Sequence, residues 1–399
     1  MIFLYALTKS VLNVGYWKIS ETIVYWLFLC VAMSLFALLN GYINDTPGAM
    51  SLISVYIVWP ILLIFFVGCS NKIETYNLLI KTLIVGIFTA TASQLVFIWT
   101  RFINISLFDA FYKLQGGIVG FYDGFIEFNL FNMTTTIYGL PFLVALILMN
   151  NFSKLNLLNT MWYKFALVTL LLTLLSLVAS GRRGFILVGL ISIPLSIILM
   201  RASNVKVKLN TKKIFGISFL TLIVLITFSY YVGIDFLTIY EDFISGFNFQ
   251  DSSNISAYRR HDQFLALIDG WIANPFLGLG FGAVATDNKN VPIVDIPWAY
   301  ELQYMSLLFQ TGLLGMAVYG SAIIWVFIKM IKISRKYVDL ANLIIPIMVG
   351  LACFLIVNST NPYLSKFDYI WTIFFPIGLI NIGLLRGNDN RFQRNKLVI

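Results

Sequence analysis

Runs of about 20 apolar residues, the length that crosses a hydrocarbon core, recur from residue 21 to residue 385, separated by short polar turns. They predict ten spans, at about 21–39, 50–69, 78–99, 129–149, 163–180, 184–200, 214–232, 302–328, 340–358 and 367–385. Alternating strands with polar lumen faces, the signature of an outer-membrane barrel, are absent. The expected fold class is all-α, with residues 1–399 forming one polytopic membrane domain. Met1–Trp17 reads either as an interfacial helix or as an eleventh span. One polar interlude, 233–301, interrupts the pattern. Between Gly233 and Tyr300 it holds the only histidine, His261, together with Arg259, Arg260, eight carboxylates from Asp235 to Asp295, and the run Gly278-Leu-Gly280-Phe-Gly282.

Composition agrees: 59% of residues are apolar, 11% are charged, and the mean hydropathy is +0.86, which excludes a soluble domain. Cys30, Cys69 and Cys353 fall inside apolar runs and read as small core residues. Without a CxxC pair, and with one histidine, the chain is not expected to hold a metal or another cofactor. The N-terminus lacks a small-residue cleavage site after a short apolar run, so no cleaved signal peptide is expected.

The charges sort by side. With both termini in the cytoplasm, 19 of the 27 Lys and Arg fall on the inner side and 14 of the 18 carboxylates on the outer, giving +15 inside and −6 outside for the total of +9. Basic residues carry the topology rule, so the basic balance reflects orientation and contact with anionic lipid, not nucleic-acid binding. The interlude then faces outward, as do the turn Gly181-Arg182-Arg183 and the aromatic loop 101–128. In a bacterium that side is the periplasm or the cell exterior, where neither ATP nor nucleotide sugars are available. A transferase working there needs a substrate that is already activated.

Candidate chemistry gathers on that side. Arg182 and Arg183 sit at a tight turn between two spans, placed to snorkel to headgroups or to grip a pyrophosphate in their planar forks. They gain nothing for topology on an outer face. Residues 256–272 follow helical spacing, with Ala257, His261, Phe264, Leu265, Ile268, Trp271 and Ile272 on an apolar face and Arg259, Asp262, Gln263 and Asp269 opposite. This predicts an amphipathic helix lying in the interface. Asn274-Pro275-Phe-Leu-Gly278-Leu-Gly280-Phe-Gly282 ends it as a backbone-exposed loop, without the lysine of a nucleotide-binding loop. Glu301, at the mouth of the span that follows, is either a partner of the helix dipole or a general base set against an apolar wall. Tyr300, Tyr304 and Trp271 lie near it as rings a sugar can stack on, and His261 is a secondary catalytic candidate.

From about Thr169 to Gly315 the chain resembles the O-antigen polymerase and O-antigen ligase superfamily of lipid-linked glycan transferases. Three pieces carry the likeness: Ser180-Gly-Arg182-Arg183-Gly184; Arg259-Arg260 followed by Trp271-Ile-Ala-Asn-Pro275-Phe-Leu-Gly278-Leu-Gly280-Phe-Gly282; and Glu301-Leu-Gln-Tyr304-Met-Ser-Leu-Leu308-Phe-Gln-Thr-Gly312-Leu-Leu-Gly315. Where the ligases of this superfamily carry His at the head of the third piece, this chain has Glu301, which favours polymerase over ligase. The resemblance implies that polyprenyl-pyrophosphate-linked oligosaccharide units are joined at the periplasmic face. Arg182, Arg183, Arg259 and Arg260 would hold the pyrophosphate and Glu301 would act as base, without a metal and with inversion at the anomeric carbon. It also implies membrane lipid and a chain-length regulator protein as partners. The reading of another class is a transporter of polysaccharide or lipid-linked sugar, which usually places charges or broken helices near the bilayer midplane. The predicted spans carry no central charge.

Overall fold

The computed structural model describes residues 18–102, 118–122, 125–129, 132–152, 158–180, 183–205, 227, 255–285, 296–366 and 369–396. Its helices are α1 (Glu21–Ile43), α2 (Trp59–Cys69), α3 (Ile73–Phe102), α4 (Met133–Phe152), α5 (Thr160–Ser180), α6 (Arg183–Ala202), α7 (Ile255–Ala273), α8 (Gln303–Lys336), α9 (Val338–Val357) and α10 (Trp371–Lys396). Tighter and wider turns, Ala49–Leu52 and Ser54–Val58, lead into α2, so that Ala49–Cys69 makes one span. Among the described residues eight helices are long and apolar enough to cross a membrane, and Trp371–Gly387 is a shorter apolar helix. The chain is a polytopic helical membrane protein. These helices coincide with nine of the expected spans, while 214–232, apart from residue 227, lies outside the described residues, as does Met1–Trp17.

One element is not anticipated. Within the aromatic loop, β1 (Ile118–Tyr122) pairs antiparallel with β2 (Phe125–Asn129), Ile118 opposite Asn129 and Tyr122 opposite Phe125. Asp123-Gly124 between two runs rich in β-branched and aromatic residues is a hairpin signal, which the period of the neighbouring spans hides.

The chain divides into two compact units: Met1–Tyr76, Phe249–Leu340 and Asn358–Ile399 in the first; Asn77–Asn248 and Ala341–Val357 in the second. In the second unit α4 packs on α5 and α6. Tyr138 of α4 donates to the Ile347 carbonyl of α9 at 3.2 Å, and Ser176 of α5 donates to Gln94 of α3 at 2.5 Å. Lipid is as apolar as a leucine side chain, so helix association in a bilayer depends on such close packing and polar bridges.

In the first unit Asn381 of α10 accepts the Ser20 N–H at 2.9 Å and donates to the Lys18 carbonyl at 2.9 Å, fastening the start of α1. Helix α8, 34 residues long, has a break at Gly312 (φ 63°, ψ −169°). A break in hydrocarbon leaves backbone groups that cost several kcal/mol each unless they are paired. Here the segment 275–282 pairs them. Leu279 and Gly280 donate to the carbonyls of Phe309 and Gln310 at 3.1 and 2.8 Å, and Leu313 and Leu314 donate to those of Pro275 and Phe276 at 2.9 and 3.1 Å. The loop thus stands in for the bonds from Leu313 to Phe309 and from Leu314 to Gln310 that a continuous helix would have made. On the other side of the loop, Phe281 donates to the Ala37 carbonyl of α1 at 2.9 Å, and Asn40 and Thr46 donate to the carbonyls of Gly278 and Phe281 at 3.0 and 2.6 Å. The glycine run is therefore not the backbone-exposed loop expected from the sequence: Gly278, Gly280 and Gly282 are buried, with φ of 67°, 93° and 73°. Gly312 lies roughly 14 Å below the head of α8 at the helical rise. The large side chains exposed around the break are Phe276, Leu277, Leu313 and Leu314, all apolar, as hydrocarbon requires.

Candidate active site at the head of helix α8

Helix α7 is amphipathic as expected, and the face it turns to the protein carries Arg260, Gln263 and Leu267. Leu267 and Gln263 are fully buried, whereas Phe264, Leu265 and Ile272 are exposed. Gly270 sits so close to Phe309 of α8 that a Cβ there would overlap the ring. The apolar stripe thus looks outward, as an interfacial helix requires. The stripe running through Arg260, Gln263 and Leu267 looks inward. Helical spacing assigns residues to faces, and only the docking of α7 on α8 decides which face is inner.

That docking brings Arg260 to Glu301. Its Nε donates to Glu301 Oε2 at 2.8 Å, with the two side chains 23% and 28% exposed. Gln263 Oε1 accepts the Glu301 N–H at 3.0 Å. The carboxylate is therefore gripped by a guanidinium instead of facing an apolar wall. The pair is a single bond through Nε and Oε2. It leaves the terminal amino groups of the arginine fork and the Oε1 atom of the glutamate outside the pair.

A polar row continues from the pair into the bundle. Gln303 N–H donates to the Glu301 carbonyl at 3.0 Å. The Gln303 side chain, 4% exposed, donates to the Tyr56 hydroxyl at 3.2 Å and accepts from Ser365 at 2.5 Å. Asn358, fully buried, accepts the Leu364 N–H at 2.9 Å and faces the Tyr304 hydroxyl. Gln263, Gln303, Tyr56 and Ser365 are functional candidates that the sequence reading passes over. A glutamine buried on an otherwise apolar helix was the available signal, because a buried amide needs partners.

The remaining candidates sort plainly. Arg259 is exposed and His261 half-buried on α7. Trp271 is half-buried and donates to the Pro275 carbonyl at 3.0 Å, capping the turn that starts the inserted loop. Tyr300 does not present its ring to a sugar. It is 2% exposed, meets Phe309 edge-on at 6.2 Å and accepts the Ala285 N–H at 2.7 Å. The order of apolar residues put it beside Glu301, and the buried cluster of Leu267, Ala283, Ala285 and Phe309 beneath the loop claims it. Arg182 lies outside the described residues, and Arg183 is the first residue of α6, in the second unit. Among the described residues no cluster of three or more His, Cys, Asp or Glu could hold a metal. No family model matches the chain, and no curated protein matches it.

Chemically, the site offers an always-charged, partly exposed guanidinium whose terminal amino groups lie outside the pair with Glu301 and a carboxylate held by Arg260 at one oxygen, both at the head of a membrane helix. This set suits a substrate that carries a phosphate and a reacting hydroxyl, and it supplies both anion stabilisation and proton acceptance.

Proposed function

We propose that the chain is a glycosyltransferase of the polysaccharide polymerase kind, joining polyprenyl-pyrophosphate-linked oligosaccharide units at the periplasmic face of a bacterial inner membrane. The observation that carries this reading is the Arg260–Glu301 pair at 2.8 Å. It joins an arginine from the second resemblance piece to the leading residue of the third, 41 residues apart in sequence.

The mechanism follows from the pair. An incoming pyrophosphate competes for Arg260, whose terminal amino groups bind phosphate oxygens in a fork, with exposed Arg259 beside it. As the anion draws the guanidinium away, Glu301 is released to the acceptor hydroxyl and takes its proton. The acceptor oxygen then bonds to the anomeric carbon while the bond from that carbon to the pyrophosphate oxygen breaks. The electron pair leaves on the pyrophosphate, where the arginine stabilises the growing charge. One displacement inverts the anomeric centre. Gln263 positions Glu301 by fixing its backbone.

The transporter alternative draws little support from the break at Gly312. Transporters use the carbonyls and N–H groups freed at such breaks to bind ions or substrate. Here the inserted loop occupies the groups at 309, 310, 313 and 314.

The test is reconstitution with purified lipid-linked units. Polymer ladders from wild type, lost in Arg260→Ala and Glu301→Gln at normal insertion, support the reading. Label moved across the membrane without ladders indicates a transporter. Ladders persisting in both variants refute the site, and retained anomeric configuration by NMR refutes the single displacement.

A further inference from the structure

The foot of helix α8, which the charge rule turns to the cytoplasm, carries Lys329, Lys332, Arg335 and Lys336. A single residue, Tyr337, joins α8 to α9 in extended backbone (φ −125°, ψ 100°). Its N–H donates to the Ile333 carbonyl at 2.8 Å, and its carbonyl accepts the Leu340 N–H at 3.1 Å, so the turn is fastened on both sides. Helix α10 comes down beside it. Gly383 lies so close to Ile333 that a Cβ there would overlap that side chain. This approach brings Arg386 and Gly387, about one turn further along, to the Tyr337 ring.

The result is a cage of charge around one hydroxyl. Lys336 Nζ stands 5.0 Å from the ring centroid and Arg386 Cζ 5.9 Å from it, both within cation–π range. A Cβ built on Gly387 would lie 3.8 Å from Lys336 Nζ and 3.8 Å from Tyr337 Oη. The ammonium and the hydroxyl therefore border one spot, which glycine leaves clear of side chain. Tyr337 Oη is buried and meets no hydrogen-bond partner among the described residues, a costly state for a hydroxyl. Within residues 329–339 the four cations face one carboxylate, Asp339. It holds Arg386 through one terminal nitrogen at 2.7 Å. An anion placed here would answer both the surplus charge and the unpaired hydroxyl.

The apolar surroundings say what carries that anion. Ile324 and Ile328, one turn apart on α8, and Val338, next to the ring, are all exposed, so hydrocarbon lies beside the cage. We propose that the foot of α8 is a discrete binding site for the headgroup of an anionic phospholipid. Lys336 and Arg386 hold its phosphate, Tyr337 Oη donates to it, and its acyl chains lie along Ile324, Ile328 and Val338. Such a site differs from the diffuse attraction that any basic membrane face exerts, because it depends on one hydroxyl and one ammonium. It stands independently of the Arg260–Glu301 reading.

The experiment titrates the purified full chain in detergent with phosphatidylglycerol or phosphatidylcholine and counts retained lipids by native mass spectrometry. Wild type should hold one phosphatidylglycerol at least about tenfold more tightly than phosphatidylcholine, the scale of a charge-assisted hydrogen bond. Lys336→Gln should remove that preference. The double control Lys164→Gln with Arg201→Gln, at exposed positions assigned to the same side, removes more charge and should keep it. Tyr337→Phe retains the ring and deletes only the hydroxyl. Without anionic lipid it should leave thermal stability unchanged or raised, because an unpaired group is gone. With phosphatidylglycerol it should lower both the affinity and the stabilisation that the lipid gives. Equal binding of the two lipids, an equal loss in the control, or wild-type behaviour of Tyr337→Phe in phosphatidylglycerol overturns the proposal. Glycerophosphoglycerol, the headgroup without its chains, is the last arm. Binding as tight as that of the lipid would make the occupant a soluble phosphate ester and overturn the lipid assignment.

Discussion

Replacing Gly280 with Ala tests whether the loop is a structural part of helix α8. Gly280 has φ +93°, and a Cβ there would overlap the backbone N and Cα of Gly41 on α1. A left-handed backbone costs an L-residue roughly 1–2 kcal/mol, and overpacking adds about 1–3 kcal/mol. The obstructing atoms are backbone, so no rotamer change relieves the overlap. If the loop withdraws instead, it gives up the bonds from Gly280 to Gln310 at 2.8 Å and from Phe281 to Ala37 at 2.9 Å, in surroundings where each orphaned group costs several kcal/mol. Either route predicts a loss of at least about 2 kcal/mol, about thirtyfold in the folded-to-unfolded ratio. Gly320 is the matched control: it lies in the same helix with nothing within 4 Å of a built Cβ. Ala there should be neutral or stabilising by up to about 1 kcal/mol. The assay is size-exclusion recovery of purified protein after graded heating in detergent. Equal thermal curves for Gly280→Ala and wild type, or equal losses at Gly280 and Gly320, would refute the insertion.

Gln303→Leu removes one partner of Tyr56 and one of Ser365 together and leaves the two hydroxyls only each other, so thermal stability should fall by about 1–3 kcal/mol; an unchanged unfolding midpoint would show that water replaces the glutamine. Tyr300→Phe orphans the buried Ala285 N–H and should cost about 1–3 kcal/mol of stability while leaving acceptor KM unchanged. A raised KM at full stability would return Tyr300 to the glycan-contacting role.

The sequence by itself determined the membrane class and the placement of nearly every described span, because a hydrocarbon solvent allows only long apolar helices with satisfied backbone. It also marked Arg260 and Glu301 as chemistry-bearing, Arg260 within the one large polar interlude and Glu301 at the mouth of the span that follows. It did not show that the two touch. Their 41-residue separation is closed only when α7 docks on α8, and the docking face is set by Gly270 admitting Phe309, not by periodicity. The glycine run looked like an open turn because local pattern reports backbone freedom and not what fills it. Tertiary structure assigned Gly278, Gly280 and Gly282 to a position where backbone meets backbone, and used the loop to complete a broken helix. Tyr300 follows the same logic: adjacency placed it at the site, and packing placed it beneath. A pattern along the chain records which solvent each residue can tolerate; which partner it meets depends on contacts between segments far apart in sequence, and these form only in the folded bundle.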